Sequence, residues 1–317
     1  MLLFVVCVVV IGSAAFAEPI AHGQALKNTK RAPFTVYVDI VNRITHPKIK
    51  GKFLKYADTC AGTLISKNSV LTAAHCIPTK GQVDITLFAG RTKLSDFKDA
   101  GDDDRQINRR FAAGFRIHKN FELSERNPFT ENHYSPFDIA MIWLKAPFPV
   151  KNNPKIQTVN FIKGNIEPNT IGIVVGWGQQ ENGLASTVLK KTQLKKISDD
   201  ECKRRYKYTN EANTFCAISP NGKSGVSLGD SGGPFIYQGS VVGLISYGGV
   251  KITRDENCQR RRSCDMTKPV VFADARIYRK WMELNLEQGG PTKKCKEAKQ
   301  KYCKIYAVKR SGNVSSI

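Results

Sequence analysis

Carboxylates are scarce in this chain of 317 residues: Asp and Glu number 27 against 49 Lys and Arg, a formal charge of +22. That imbalance favours anionic partners such as sulfated glycans or nucleic acid. No stretch reads as a nucleic-acid motif, which leaves a heparin-like glycan as the expected anionic partner. There is no internal repeat and no long low-complexity tract, so a repeat array is excluded. No CxxC pair and no His cluster occurs, so neither a metal site nor a cofactor is expected. Beyond residues 1–17 no run is apolar enough to cross a bilayer, and a soluble product is expected.

What is present is ordinary for a globular, turn-rich protein: 41% hydrophobic residues and 25 glycines. Residues 1–17 form an uncharged apolar run ending Ala15-Phe16-Ala17. Small residues at its last and third-last positions suit signal peptidase, and the run is short for a membrane anchor. Secretion follows as the expectation. Of nine cysteines, Cys7 lies in that leader. Eight remain, an even number that suggests four bridges in an oxidising compartment.

Short β-rich runs separated by turn residues dominate, among them Phe34–Val41, Gly62–Ile65, Val83–Phe88, Ile139–Leu144, Gly172–Val175 and Val241–Tyr247. They read as antiparallel sheets closed into barrels. Ala146–Asn160, with three prolines and no periodicity, reads as the connection between two halves. Arg276–Leu286 carries Ile277, Trp281 and Leu284 at helical spacing, and Gly289-Gly290-Pro291 ends any helix there.

Three separated segments carry the chemistry. Gly229-Asp230-Ser231-Gly232-Gly233-Pro234 places a serine in a tight turn with glycines around it. Upstream stand Thr72-Ala73-Ala74-His75-Cys76 and Asp138-Ile139-Ala140-Met141. Each has a plain alternative: a turn, a packed histidine, a helix cap. Together and in this order they resemble the chymotrypsin/trypsin-like serine endopeptidases, whose triad runs His, Asp, Ser along the chain. The resemblance covers nearly the whole mature chain.

The resemblance implies an all-β fold of two antiparallel six-stranded β-barrels with a C-terminal helix. It divides the chain into a signal peptide (1–17), a short propeptide (18–19), a protease domain (20–288) and a basic tail (289–317). Barrel one is expected over 32–150, barrel two over 161–276 and the helix over 276–287. His75 is then the base, Asp138 its orienting acid, Ser231 the nucleophile, and the N–H groups of Gly229 and Ser231 the oxyanion hole. Cys60–Cys76 and Cys202–Cys216 are implied as bridges; Cys258–Cys264 and Cys295–Cys303 are paired only as nearest neighbours.

Family members are activated by a new amino terminus. Ile20-Ala21-His22-Gly23 resembles the family's Ile-Val-Gly-Gly start, so the Ile20 ammonium is expected to pair with Asp230. Pro19, not a basic residue, precedes it, which points to an X-Pro dipeptidyl peptidase removing Glu18-Pro19. Lys30-Arg31 is a competing cleavage site.

Ser246-Tyr247-Gly248 resembles the strand that pairs with extended substrate. Gly225 stands where the family places the floor of its primary pocket, and trypsin-like members have aspartate there. With Val226, Ile245 and Val270, the pocket is expected to be apolar and partly filled. Small or medium aliphatic residues are expected before the cleaved bond, in the manner of elastases, with chymotrypsin-like preference second. The implied partners are protein or peptide substrates and serine protease inhibitors, and the chain is expected to be a monomer. A catalytically silent homologue that binds glycans or proteins is the rival reading. Asp102-Asp103-Asp104 reads as a solvated turn in place of a calcium loop, and Asn313-Val314-Ser315 is a glycosylation sequon.

Overall fold

The structure is a computed structural model. It describes residues 20, 23–49, 52–95, 108–122, 136–162, 164–179, 184–206, 213–248, 250–254, 260–287, 306–308 and 314–316, and for 250–254, 260–264, 306–308 and 314–316 the backbone alone. The leader, the 18–19 pair, the three aspartates, Cys258, Cys295, Cys303 and Asn313 lie outside these residues.

A two-residue strand, β1 (Gln24–Ala25), precedes the first barrel. That barrel is built from β2 (Thr35–Thr45), β3 (Phe53–Ser66), β4 (Ser69–Thr72), β5 (Gln82–Ala89), β6 (Arg109–Ile117) and β7 (Ala140–Leu144). The hydrogen-bonded order β6-β5-β2-β3-β4-β7 is closed by a β6–β7 ladder, giving a complete six-stranded antiparallel barrel. Alternation explains it. Along β5 every second residue is buried (Val83, Ile85, Leu87, Ala89), and along β2 Val36, Val38 and Ile40 point into the same core.

The second barrel uses β8 (Ile171–Gly176), β9 (Lys190–Lys196), β10 (Thr214–Ile218), β11 (Pro234–Tyr237), β12 (Ser240–Tyr247) and, after a hairpin of β13 (Val250–Arg254) and β14 (Arg260–Cys264), β15 (Val270–Asp274). Its order β9-β10-β15-β12-β11-β8 closes through β8–β9, so both barrels are edge-free. β1 adds to β9 from outside, with Gln24 opposite Lys191. Between β12 and β15, strands β13 and β14 form a two-stranded ladder of their own, Val250 facing Cys264.

Helix α1 (Asp199–Arg205) follows β9. Ser198 caps its Glu201 N–H, acids fill its first turn and Lys203, Arg204 and Arg205 its last. The closing helix α2 covers Arg279–Glu287, and its buried row differs from the expected one. Tyr278, Met282 and Asn285 are buried, while Ile277 and Leu284 are about half exposed. The row is set by barrel one: Asn285 Oδ1 accepts from the buried Arg116 guanidinium, so a polar residue wins the inward position. Beyond α2, β16 (Tyr306–Val308) and β17 (Val314–Ser316) form a hairpin whose first strand pairs with Phe115 and Gly114 of β6.

Candidate active site

His75 lies in a single 3-10 turn, Ala74–Cys76, that follows β4. The Cys60–Cys76 disulfide ties this turn to β3, and Cys202–Cys216 ties α1 to β10. Asp138 sits just before β7, on the strand neighbour of β4, and is 2% exposed. Adjacent strands of barrel one therefore bring together two residues that are 63 positions apart in the chain. The Asp138 carboxylate takes three donors: His75 N–H at 2.9 Å, His75 Nδ1 at 2.7 Å and the Ser246 hydroxyl at 2.5 Å.

Burial pulls the His75 pKa down. The Asp138 charge and hydrogen bond, with the Asp58 charge, outweigh that pull and leave it raised above the ordinary value. The imidazole thus has one nitrogen committed to a buried carboxylate and the other free for proton exchange, on a side chain 27% exposed.

Ser231 comes from barrel two, and its turn lies against β3 and the His75–Cys76 turn of barrel one. Its carbonyl accepts Ala61 N–H from β3 at 2.8 Å. The Cys76 Sγ lies 3.9 Å from that same carbonyl oxygen and 3.9 Å from His75 Nε2. Gly232 permits this approach: φ is 79°, and a Cβ there would sit 2.3 Å from Thr72 Oγ1 and 2.5 Å from the Ala61 carbonyl. Among the described residues the Ser231 hydroxyl makes no hydrogen bond to His75, a link that commonly tightens only with substrate bound. The N–H groups of Gly229 and Ser231 have no acceptor among the described residues, and Gly229 has a left-handed φ of 95°.

Asp230, fully buried, accepts Gly178 N–H at 2.8 Å and Ser227 N–H at 2.9 Å. Burial pushes its carboxyl up to about 6 against the pull of those two bonds. It packs on Gly176 and Gly178, where any side chain would collide with it. Ile20 is also fully buried, beside the Lys191 carbonyl, with its own carbonyl accepting Gly23 N–H. Its nitrogen is a peptide nitrogen here and not an ammonium, and the Asp230 carboxylate is held by the two N–H donors.

Around the primary pocket, Gly225, Val226, Ile245 and Val270 are all buried. A Cβ on Gly248 would lie 3.2 Å from Val226 Cγ2 and 3.9 Å from Val270 Cγ2, so both valines close on the space that this glycine leaves. Tyr247 is partly exposed and packs edge-on against Tyr206. A register shift in the β12–β15 ladder between Ile245 and Tyr247 turns the Ser246 hydroxyl toward Asp138. Sequence reading put Ser246 in the substrate strand and missed this second contact. Nothing local to β12 signals a bond spanning 108 positions.

A carboxylate–imidazole pair at the seam of two closed six-stranded barrels, beside a serine turn with two free N–H groups, defines a chymotrypsin-like protein. The chain belongs to the trypsin family, whose family model matches residues 27–282. It is 31% identical over 221 residues to a trypsin of Saccharopolyspora erythraea, covering 69% of this chain and 83% of that protein. It is 29% identical to brachyurin of Leptuca pugilator over 71% of this chain and 86% of the relative. A vitellin-degrading protease of Bombyx mori is 26% identical over 73% and 77%. In fold it matches mouse neuropsin, a serine protease, with a TM-score of 0.61 over 84% of this chain and 99% of that one, at 22% identity. These relatives place the chain among serine endopeptidases, and no described helix is long and apolar enough to cross a membrane.

Proposed function

We propose that the chain is a secreted serine endopeptidase that works through an acyl-enzyme and cleaves after small or medium aliphatic residues. The observation that carries this is the doubly bonded His75–Asp138 pair facing the Ser231 turn. His75 Nε2 takes the Ser231 hydroxyl proton as Oγ attacks the substrate carbonyl carbon. Asp138 keeps Nδ1 protonated and stabilises the imidazolium. The oxyanion is received by the free N–H groups of Gly229 and Ser231, each worth roughly 10²–10³-fold. His75 then hands the proton to the leaving amine, and water repeats the cycle on the ester.

In the processed enzyme the Ile20 ammonium pairs with Asp230. Both are fully buried, and a raised carboxyl pKa marks an acid that lacks a cation. Secretion is supported by the apolar leader and the two bridges. The aliphatic preference is supported by Val226 and Val270 beside Gly248. Proteins or peptides are the substrates, serine protease inhibitors are further partners, and the net charge of +22 favours anionic glycans. A fluorophosphonate probe on processed protein tests the enzyme reading. Labelling that vanishes in Ser231→Ala supports it, and its absence in correctly processed protein points to a silent homologue that only binds.

A further inference from the structure

We infer that barrel two carries a separate cleft for the sulfate groups of a sulfated saccharide, on the face bearing Lys191 and Lys223. The inference rests on the glycan reading above and gives it a place. The cleft, about 410 Å³, lies between β1, β8, β9 and the Pro220–Ser224 loop. No Asp or Glu lines it, and neither do His75, Asp138 or Ser231.

Strand alternation builds its floor. Leu194 and Lys196 of β9 turn into the barrel and are buried, so Lys191, Gln193 and Lys195 share the outer face. The β8 residue opposite Gln193 is Ile173, which lines the cleft and stays 37% exposed. Cations next to open aliphatic surface suit a sugar: sulfates meet the ammonium groups while the C–H face of the ring rests on isoleucine. Neither Lys191 nor Lys223 has a carboxylate partner among the described residues.

The loop side is shaped in advance. Asn221 Oδ1 accepts from the Ser219 hydroxyl at 2.8 Å and from Lys223 N–H at 3.0 Å, which leaves the Asn221 amide N–H groups to donate to a ligand. Ser224 is held by the Thr192 hydroxyl at 2.7 Å. The cation on Lys223 and the donors of Asn221 are thus presented by a loop tied to β9, which lowers the cost of ordering it on binding.

The test titrates a fluorescent heparin-derived tetrasaccharide into the full chain carrying Ser231→Ala, which prevents self-cleavage. Lys191→Gln with Lys223→Gln is expected to weaken binding by about tenfold or more. Lys67→Gln with Lys145→Gln, on barrel one, is expected to change it by less than about twofold. Lys191→Arg with Lys223→Arg is expected to retain binding, which separates lost charge from lost structure. Equal losses in both glutamine pairs, or none in either, overturn the cleft while leaving a diffuse glycan affinity standing. No binding by the parent chain overturns both. Inorganic sulfate competing as tightly as the tetrasaccharide, with the same lysine dependence, overturns the saccharide in favour of a free anion.

Discussion

The rings of Phe137 and His118 stack 4.9 Å apart and 6° from parallel, one residue before Asp138. Phe137 holds a left-handed φ of 57°, unusual for a bulky side chain and costly by roughly 1–2 kcal/mol. Tyr278 meets both rings edge-on, and Trp281 of α2 lies 5.5 Å from His118. The Phe137 carbonyl accepts Ile139 N–H, and the Ile139 carbonyl accepts His118 N–H. Both flanks of Asp138 are thereby fixed from outside the pair it forms with His75. Phe137→Ala, which removes the stack and keeps the strained backbone, is expected to cost about 1–3 kcal/mol in denaturant unfolding. Phe137→Gly, which relieves the strain, is expected to be milder by about 1 kcal/mol. Equal losses would mean that the stack does not hold a strained residue.

His118 supplies a pH dependence of its own. Burial among those aromatic rings, and then the Lys119 charge, lower its pKa to about 4. The unfolded chain binds this proton below about 6.5 and the folded chain does so only near 4. Its contribution to stability is therefore complete above about pH 6.5 and is lost as the pH falls through about 4. Unfolding curves across that window are expected to flatten in His118→Phe, and an unchanged acid slope would reject the assignment.

Barrel strands were readable because one face of each meets a core: β5 alternates without exception, and its reading is off by a single residue at each end. The His75–Asp138 pair was readable because its chemistry is compressed into short strings around those two residues. What escaped were features decided across the fold. The α2 face followed Arg116, a residue far away in the chain: of the expected row Trp281 packs on the core, while Ile277 and Leu284 stay about half exposed. Gly172 is likewise fixed across the fold, since the Phe235 ring occupies the space where a side chain would stand.

Ser246 stabilises the ionised Asp138 through a charge-assisted hydrogen bond, an interaction worth roughly 1.5–3 kcal/mol. Ser246→Ala is expected to lower kcat/KM by about tenfold. It also moves the acid limb of the pH profile. A carboxylate that loses one donor holds its imidazolium partner more tightly, so the His75 pKa, already above the ordinary value, rises further. The neutral base is then restored only at higher pH. Comparing the two kcat/KM profiles from pH about 5 to about 9 checks this. A drop in rate without displacement of the limb would assign Ser246 to substrate binding alone.

Asp230 gives the unprocessed chain the opposite slope. Its folded pKa of about 6 stands above the model-compound 3.8, so the folded state retains a proton that the unfolded state releases. Stability of the precursor is expected to fall by about 3 kcal/mol as pH rises from about 4 to above 6. On the proposed activation, the freed Ile20 ammonium is expected to favour the ionised acid and to remove that loss. Urea midpoints of precursor and processed chains at pH about 4.5 and about 7 measure the difference. Parallel pH trends in the two forms would rule out the Ile20–Asp230 pair.

The aliphatic reading assigns the depth of the primary pocket to Val226 and Val270. Both are buried, and both approach the space that Gly248 leaves open. A benzyl side chain entering there is expected to displace a valine methyl group, and an alanine or valine side chain is not. Each such mismatch is worth roughly 1–3 kcal/mol, or about 10–200-fold in kcat/KM. Peptide libraries are therefore expected to rank alanine and valine ahead of phenylalanine before the cleaved bond, with arginine and lysine last. Val270→Gly is expected to raise cleavage after phenylalanine by about tenfold or more while leaving the alanine substrate within a few-fold, since the added space matters only to the larger group. If Val270→Gly changes both substrates equally, the valine acts on loop stability and not on pocket depth. Preference for arginine in the parent enzyme would mean that a carboxylate other than one at position 225 reaches the pocket, and the aliphatic reading would fall.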